Sequence, residues 1–306
     1  MAFPEFLEDL DCLEVLGLPE ECAIPDAFKD FLGDQDIELE MEVAELCDKC
    51  RVDYIPLHWG AQNGMDEMVK FQLCETDVDF KGSRDRTALM AAAGSGHTST
   101  VDLLLKHNAW VNQVDVIFTT ALMAAAGGGH TSTVDLLLKH NAIVDMCDEC
   151  GGTALMYAAH RDDTSIVELL LKHNASVDQL DEDGGTALMG AACGGHTSTV
   201  DLLLKHNASV NQADQDGWTA LMRAAEGGHT STADLLLKHN ASVNHASKDG
   251  LTPLMMAAKR GHMAAAELLL SHGAILVSTD KDGMTAAELA RAAGHHQLAA
   301  KLFDAG

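Results

Sequence analysis

The chain has 306 residues and a formal net charge of −27 at pH 7, from 20 Lys and Arg against 47 Asp and Glu. This balance argues against DNA, RNA or an anionic membrane surface as the main partner, because such partners are bound through clusters of Lys and Arg. Hydrophobic residues make up 47% and aromatic residues 4%, which excludes whole-chain disorder and predicts a core of Ala, Leu, Val and Met.

Residues 1–50 form the first predicted domain, an acidic helical N-terminal cap or extension with 16 acidic and two basic residues. Its first ten residues lack the positive segment of a secretory signal, so we expect the protein in the cytoplasm, or in the nucleus, with reduced cysteines. Apolar residues at helical spacing from Phe6 to Leu16 predict one helix, and Pro25 opens a second pattern. The segment either covers the first repeat or docks a partner; its leucines also match the spacing of a nuclear export signal.

Residues 51–306 form the second predicted domain, which is built on a repeat of 33 residues. The segment 96–109 recurs identically at 129–142 and 195–208, and at 228–241 with one change. Such self-similarity predicts a solenoid, because one helix pair cannot bury its apolar face alone. The repeat motif begins with a Thr at Thr87, Thr120, Thr153, Thr186, Thr219, Thr252 and Thr285.

Each repeat is predicted to contain two helices. Thr87 caps the first helix and Gly96 ends it. The second helix begins near Thr98, and Asn108 ends it in the left-handed conformation that Asn tolerates. A turn of the form Asp-x-Asp-Gly, as at 214–217, leads to the next repeat.

The repeat resembles that of the ankyrin repeat family over residues 53–306. The resemblance implies an all-α ankyrin-repeat solenoid of about seven to eight repeats, with projecting β-hairpin loops and a concave surface that binds proteins. The matching features are the Thr-x-Leu start, the alanines Ala92 and Ala93, Gly96-His97, the leucines 103–105 and Asp216-Gly217.

The sequence departs from the family pattern at two places. Asp162 and Asp163 replace Gly-His in the fourth repeat, so the turn between its helices is not predicted. Met replaces the family's His in six repeats, and only the degenerate first repeat keeps it, as His58. We predict that these methionines are core side chains rather than a functional surface. They are Met90, Met123, Met156, Met189, Met222 and Met255.

No pattern predicts catalysis, a cofactor or a metal site. The Cys-x-x-Cys pairs at 47/50 and 147/150 are separated by about three repeats, or roughly 25–30 Å. That separation is too large for a shared zinc ion, whose bonds to sulfur are about 2.3 Å. The glycine-rich stretches at 94–96 and 127–129 lack the Lys of a phosphate-binding loop. We therefore expect a protein that is not an enzyme.

Positions that differ between repeats define the predicted partner-binding surface. Both drift at solvent positions and selection for binding are consistent with this variation. Aromatic residues and arginines favour binding, because they often anchor interfaces. The candidate residues are Trp110, Val116, Ile117, Phe118, Tyr157, His160, Arg161, Trp218, Arg223, Glu226, Leu251, Met256 and Lys259.

Ile117 and Phe118 replace the Asp-Gly that stands at 216–217, in the corresponding stretch before Thr219. Gly suits a tight turn, whereas a β-branched residue does not. An apolar tip also lowers solubility, so we interpret these residues as a binding edge that Trp110 and Tyr157 extend. The alternative is that the loop folds inward onto its neighbours.

The predicted function is a non-catalytic protein–protein interaction module that binds a partner through the concave groove and the loop tips. We expect a monomer with a protein partner of unknown identity, and neither a nucleic acid nor a membrane as partner. The alternative is a recently duplicated or consensus-like structural scaffold without a dedicated partner, which the near-identity of the repeats favours.

Overall fold

The computed structural model describes residues 55–74 and 76–305. These residues form sixteen α-helices in eight consecutive pairs, with isolated β-bridges but no longer strand. A single turn of 3₁₀ helix, Ser83–Asp85, precedes the second pair. The helices are α1 (Ile55–Gln62), α2 (Asp66–Gln72), α3 (Ala88–Gly94), α4 (Thr98–Lys106), α5 (Ala121–Gly128), α6 (Thr131–Lys139), α7 (Ala154–His160), α8 (Thr164–Lys172), α9 (Ala187–Gly194), α10 (Thr197–Lys205), α11 (Ala220–Gly227), α12 (Thr230–Lys238), α13 (Pro253–Arg260), α14 (Met263–Ser271), α15 (Ala286–Ala292) and α16 (His296–Asp304).

Threonine begins the first helix of every pair from α3 onward. The Thr87 hydroxyl accepts a hydrogen bond from the Met90 N–H at 3.3 Å, and the Thr120 hydroxyl accepts from the Met123 N–H at 3.2 Å. Each hydroxyl thereby satisfies one of the backbone donors that a helix start leaves without a partner. The predicted caps are confirmed.

Many of the helices are followed by a residue in the left-handed backbone conformation. Asn108 has φ 65° directly after α4, and its counterpart in each of the next four repeats is also a left-handed Asn. In the fourth repeat Asp162 has φ 64°, the conformation that Gly96 holds with φ 76°. Asp tolerates this conformation better than most residues, so the turn that the sequence left unpredicted keeps the geometry of the others.

First helices stack on first helices and second helices on second helices, which makes a two-layer solenoid. The core lies between the layers and consists of Ala, Leu, Val and Met, as predicted. Five of the six predicted core methionines are at most 5% exposed, and Met156 is half-buried against the core. Alanines at the contacts let the helices approach closely.

Polar side chains also join successive repeats. The hydroxyls of Thr98 and Thr133 lie 2.8 Å apart, and the Thr199 hydroxyl donates to Asp162 Oδ1 at 2.7 Å. His130 Nε2 lies 3.0 Å from the carbonyl oxygen of Gly94 in the preceding repeat. These bonds satisfy buried polar groups and fix the register between repeats.

The loops between helix pairs end in tight turns that we call fingers, at 115–119, 148–152, 181–185, 214–218, 247–251 and 280–284. From 148–152 onward, each finger tip donates one backbone hydrogen bond to the finger before it. The Glu149 N–H donates to the Ile117 carbonyl at 2.9 Å, and the Glu182 N–H to the Cys150 carbonyl at 2.8 Å. The fingers therefore form a continuous row beside the first helices.

The predicted cap at 1–50 lies outside the described residues. Among the described residues, no helix is long and apolar enough to cross a membrane.

Candidate protein-binding surface

The finger at 115–119 has the backbone of the other fingers but apolar side chains. The Phe118 N–H donates to the Asp115 carbonyl at 3.0 Å, as the Gly151 N–H does to the Asp148 carbonyl at 3.0 Å. Phe118 has φ 62°, in the left-handed region that Gly151 occupies with φ 79°. We refer to Val116, Ile117 and Phe118 as the apolar tip.

The apolar tip points to solvent. Val116 is 50% exposed, Ile117 43% and Phe118 54%. The alternative of a loop folded inward is therefore not what the structure shows. A left-handed conformation costs a non-glycine residue about 1–2 kcal/mol, and more than half of the Phe118 surface remains exposed.

Trp218 and Arg223 contact each other rather than standing free. The Arg223 guanidinium carbon lies 4.5 Å from the centroid of the Trp218 ring, a cation–π geometry. Arg223 Nη2 also donates to Asp214 Oδ2 at 2.8 Å, and the Asp214 side chain is 7% exposed. The arginine is held by two intramolecular partners while part of its guanidinium faces the groove.

Tyr157 forms a related pair two fingers earlier. Its hydroxyl donates to Asp148 Oδ2, and the side chain is 38% exposed. Partial burial and the hydrogen bond to the Asp148 carboxylate raise the pKa of Tyr157 to about 12. The phenol is therefore neutral and donates throughout the neutral pH range.

A cavity of about 440 Å³ lies between these two pairs, over α7, α9 and α11 and under the fingers. Its walls include the predicted residues Tyr157, His160 and Arg223. Sequence reasoning missed its other polar residues. These are Asp148, Cys150, Asp181, Asp183, Cys193 and Asp214.

The two cavity cysteines are free and exposed. Desolvation by neighbouring protein atoms, and next the negative charge of the Asp148 carboxylate, raise the pKa of the Cys150 thiol. Within the described residues, no group of three or more His, Cys, Asp or Glu is placed to hold a metal ion.

Comparison with known families agrees with this architecture. A family model described as ankyrin repeats, in three copies, matches residues 57–142, 109–181, 162–247 and 242–306. The chain belongs to the ankyrin repeat family. Ankyrin repeats are generally protein–protein interaction modules, and the family is typically non-catalytic. A search of curated proteins finds no significant match.

The remaining candidates occupy different places on the ankyrin repeats. Trp110 is 62% exposed and belongs to a separate row, because its backbone N–H bonds Asp79 Oδ1 at 2.8 Å as the Ile143 N–H bonds Asn112 Oδ1. The structure therefore does not place Trp110 in the finger row with the apolar tip.

Several predicted contact residues are engaged within the fold. Met256 is 3% exposed, so its side chain belongs to the core and we leave it out of the surface. Leu251 is half-buried against that core. Glu226 accepts from Arg260 Nη2 at 2.6 Å, and Arg161 Nε donates to Asp163 Oδ2 at 3.1 Å.

His160 and Lys259 are exposed. With Tyr157, Arg223 and the apolar tip they make up the part of the predicted surface that is accessible along the fingers and first helices. Trp110 and Arg161 are also exposed, Trp110 on its separate row and Arg161 beside Asp163.

Proposed function

We propose that this ankyrin domain is a non-catalytic module that binds another protein across its fingers and first helices. The apolar tip is the observation that supports the proposal best. Its side chains are exposed, and Phe118 occupies backbone that other fingers fill with Gly. A large apolar residue that holds an unfavourable backbone conformation and leaves more than half of its surface exposed fits a role in contact with a partner.

The charge and the cysteines of the chain limit the class of partner and the compartment. The net charge of −27 disfavours nucleic acid and anionic membranes, so the partner is a protein. In the described part of the chain, four exposed free thiols, among them Cys74 and Cys147, suit the reducing cytoplasm or nucleus. We propose a monomeric adaptor in one of these compartments.

Capture from cell lysate with quantitative mass spectrometry tests the proposal. The double variant Ile117→Asp with Phe118→Gly restores an acidic, glycine-containing tip and keeps the turn. We expect it to recover partners of the wild-type protein at least about 10-fold less well, which corresponds to about 1.4 kcal/mol. Ile143→Asp is the matched control, because Ile143 is 55% exposed on another row, and it should recover them normally.

Retained capture by a folded double variant would contradict the role of the apolar tip. The rival function is a structural scaffold without a dedicated partner, which the identical segments at 96–109, 129–142 and 195–208 favour. It predicts that wild type and double variant capture the same proteins in the same amounts.

A further inference from the structure

Fingers that carry an Asp at their base use its two carboxylate oxygens differently. One oxygen closes the turn: Asp181 Oδ1 accepts from the Asp183 N–H at 3.0 Å and from the Gly185 N–H at 2.6 Å. The other oxygen faces the residue nine positions later, on the first helix. Tyr157 fills that position for Asp148, and Arg223 fills it for Asp214.

At Asp181 the residue nine positions later is Gly190, which has no side chain. Within the part of the chain that the structure describes, Asp181 Oδ2 has no hydrogen-bond donor from the protein. Asp115 and Asp280 also lack a donor on their second oxygen, but neither lines the cavity. A Cβ built on Gly190 meets no atom within 4 Å. The missing side chain is what opens the cavity beside Asp181.

Charge in the cavity is unbalanced. Four carboxylates line it, those of Asp148, Asp181, Asp183 and Asp214, against the single guanidinium of Arg223. Arg223 is already paired with Asp214 at 2.8 Å. An occupant that complements this wall carries positive charge, and in a protein partner that charge is borne by Arg or Lys.

Arg223 shows which of the two cations suits this groove. In the repeat after Gly190, its guanidinium lies 4.5 Å from the centroid of an aromatic ring and donates to the second oxygen of the finger Asp. Beside Gly190, the ring of Tyr157 and the second oxygen of Asp181 provide the same two kinds of group. A planar guanidinium uses both, because it stacks on rings and forks onto carboxylates, whereas an ammonium does neither as well.

We propose that the cavity at Gly190 accepts an arginine side chain from a segment of the partner protein, with Asp181 as its counter-ion. The inference rests on the proposed function, because the arginine belongs to a bound protein. The partner segment thus contributes the residue that this chain supplies to itself as Arg223 one repeat later.

The test uses the full chain and the peptide acetyl-Gly-Ser-Arg-Ser-Gly-amide, followed by two-dimensional NMR of the backbone amides. The peptide with citrulline in place of Arg has nearly the same shape but no charge. We expect saturable shifts at Gly190 and Asp181 with the arginine peptide, and at least about 10-fold weaker binding of the citrulline peptide. Bound peptide should also slow alkylation of Cys150 and Cys193, which line the cavity, but not of Cys74.

Four variants locate the effect. Asp181→Asn keeps the oxygen that closes the turn and should weaken binding at least about 10-fold. Gly190→Arg fills the cavity with the chain's own guanidinium and should abolish binding, whereas Gly190→Ala should retain it. Asp282→Asn removes an equal charge outside the cavity and should leave binding unchanged.

Equal binding of the two peptides, or unchanged binding to Asp181→Asn and Gly190→Arg, would overturn the inference. This outcome is independent of the apolar tip, because the peptide has no apolar side chain to contact it. The double variant Ile117→Asp with Phe118→Gly separates the two proposals. If it still binds the arginine peptide and captures proteins as the wild type does, the cavity site is supported and the role of the apolar tip is contradicted.

Discussion

Phe118 has a backbone conformation that is unfavourable for a residue with a large side chain. Its φ of 62° is one that Gly adopts freely and Phe does not. We expect Phe118→Gly to raise the free energy of unfolding by up to about 1 kcal/mol, because it removes the left-handed cost of about 1–2 kcal/mol and loses the apolar contact of a side chain that is more than half exposed. Urea denaturation followed by circular dichroism measures the change.

Two glycines in the same position of other fingers are controls for Phe118. Gly283→Ala should cost only the left-handed term, since its Cβ would meet nothing within 4 Å. Gly151→Ala should cost more, since its Cβ would stand 2.8 Å from the Asp181 Cα. A neutral Phe118→Gly together with a costly Gly283→Ala would show that Phe118 packs usefully.

Tyr157 reports the electrostatics of the cavity. Its pKa is raised to about 12 from the ordinary 10.0, by partial burial first and then by the hydrogen bond to Asp148. We expect the phenolate absorbance of Tyr157, identified by its loss in Tyr157→Phe, to appear near pH 12. Asp148→Asn should move it toward 10, because the variant removes the negative charge.

The same shift affects stability in alkaline solution. Between pH 10 and 12 the unfolded chain releases the phenolic proton while the folded chain keeps it, so stability falls as pH rises. The contribution of Tyr157 is fully present below pH 10. If the free energy of unfolding of Tyr157→Phe declines equally steeply between pH 10 and 12, the decline is due to other groups.

At the scale of the element, the Thr caps start each first helix. We expect Thr120→Ala to lower the free energy of unfolding by about 1 kcal/mol, because the Met123 N–H loses its acceptor in a buried place. Thr131→Ala in the following helix is the control, since Thr131 is exposed. Hydrogen exchange of α5 amides measures the local effect; equal exchange in the two variants would argue against a capping role.

Sequence predicted these elements well because each has a local physical cause. Thr87 begins a helix and Asn108 ends one through contacts within a few residues, and the 33-residue period fixes which faces meet. The turn at Asp162 was not predicted, because the family pattern there is Gly-His and left-handed Asp is less frequent.

The candidate site was only partly predictable from the sequence. Variation between repeats selected Tyr157 and Arg223, which line the cavity, but it also selected Met256, which the fold buries. The pairing of a finger Asp with the residue nine positions later joins a finger to a first helix, and no pattern in the sequence predicted it. The sequence showed Gly190 only as one more residue at a variable position. Its importance for the proposed site follows from the structure, where it leaves Asp181 Oδ2 without a hydrogen-bond donor among the described residues.

At the scale of the whole molecule, the described stack begins with the pair α1 and α2 and ends with the pair α15 and α16. We predict that residues 1–50 cap the first end, since their apolar residues recur at helical spacing. Deletion of 1–50 should lower the melting temperature or cause association, as measured by calorimetry and light scattering. An unchanged melting curve with monomeric behaviour would favour the interpretation of the segment as a partner-docking arm.

Stacking of helix pairs on their neighbours has a mechanical consequence. A globular core resists extension as one unit, but here each pair packs mainly on the pair before and after it. Tension applied to the two ends can therefore peel off one repeat of 33 residues at a time. Each detached repeat lengthens from roughly 10 Å along the stack to about 110 Å of extended chain. Such a molecule would yield in steps of nearly equal length and act as an extensible tether for whatever it holds.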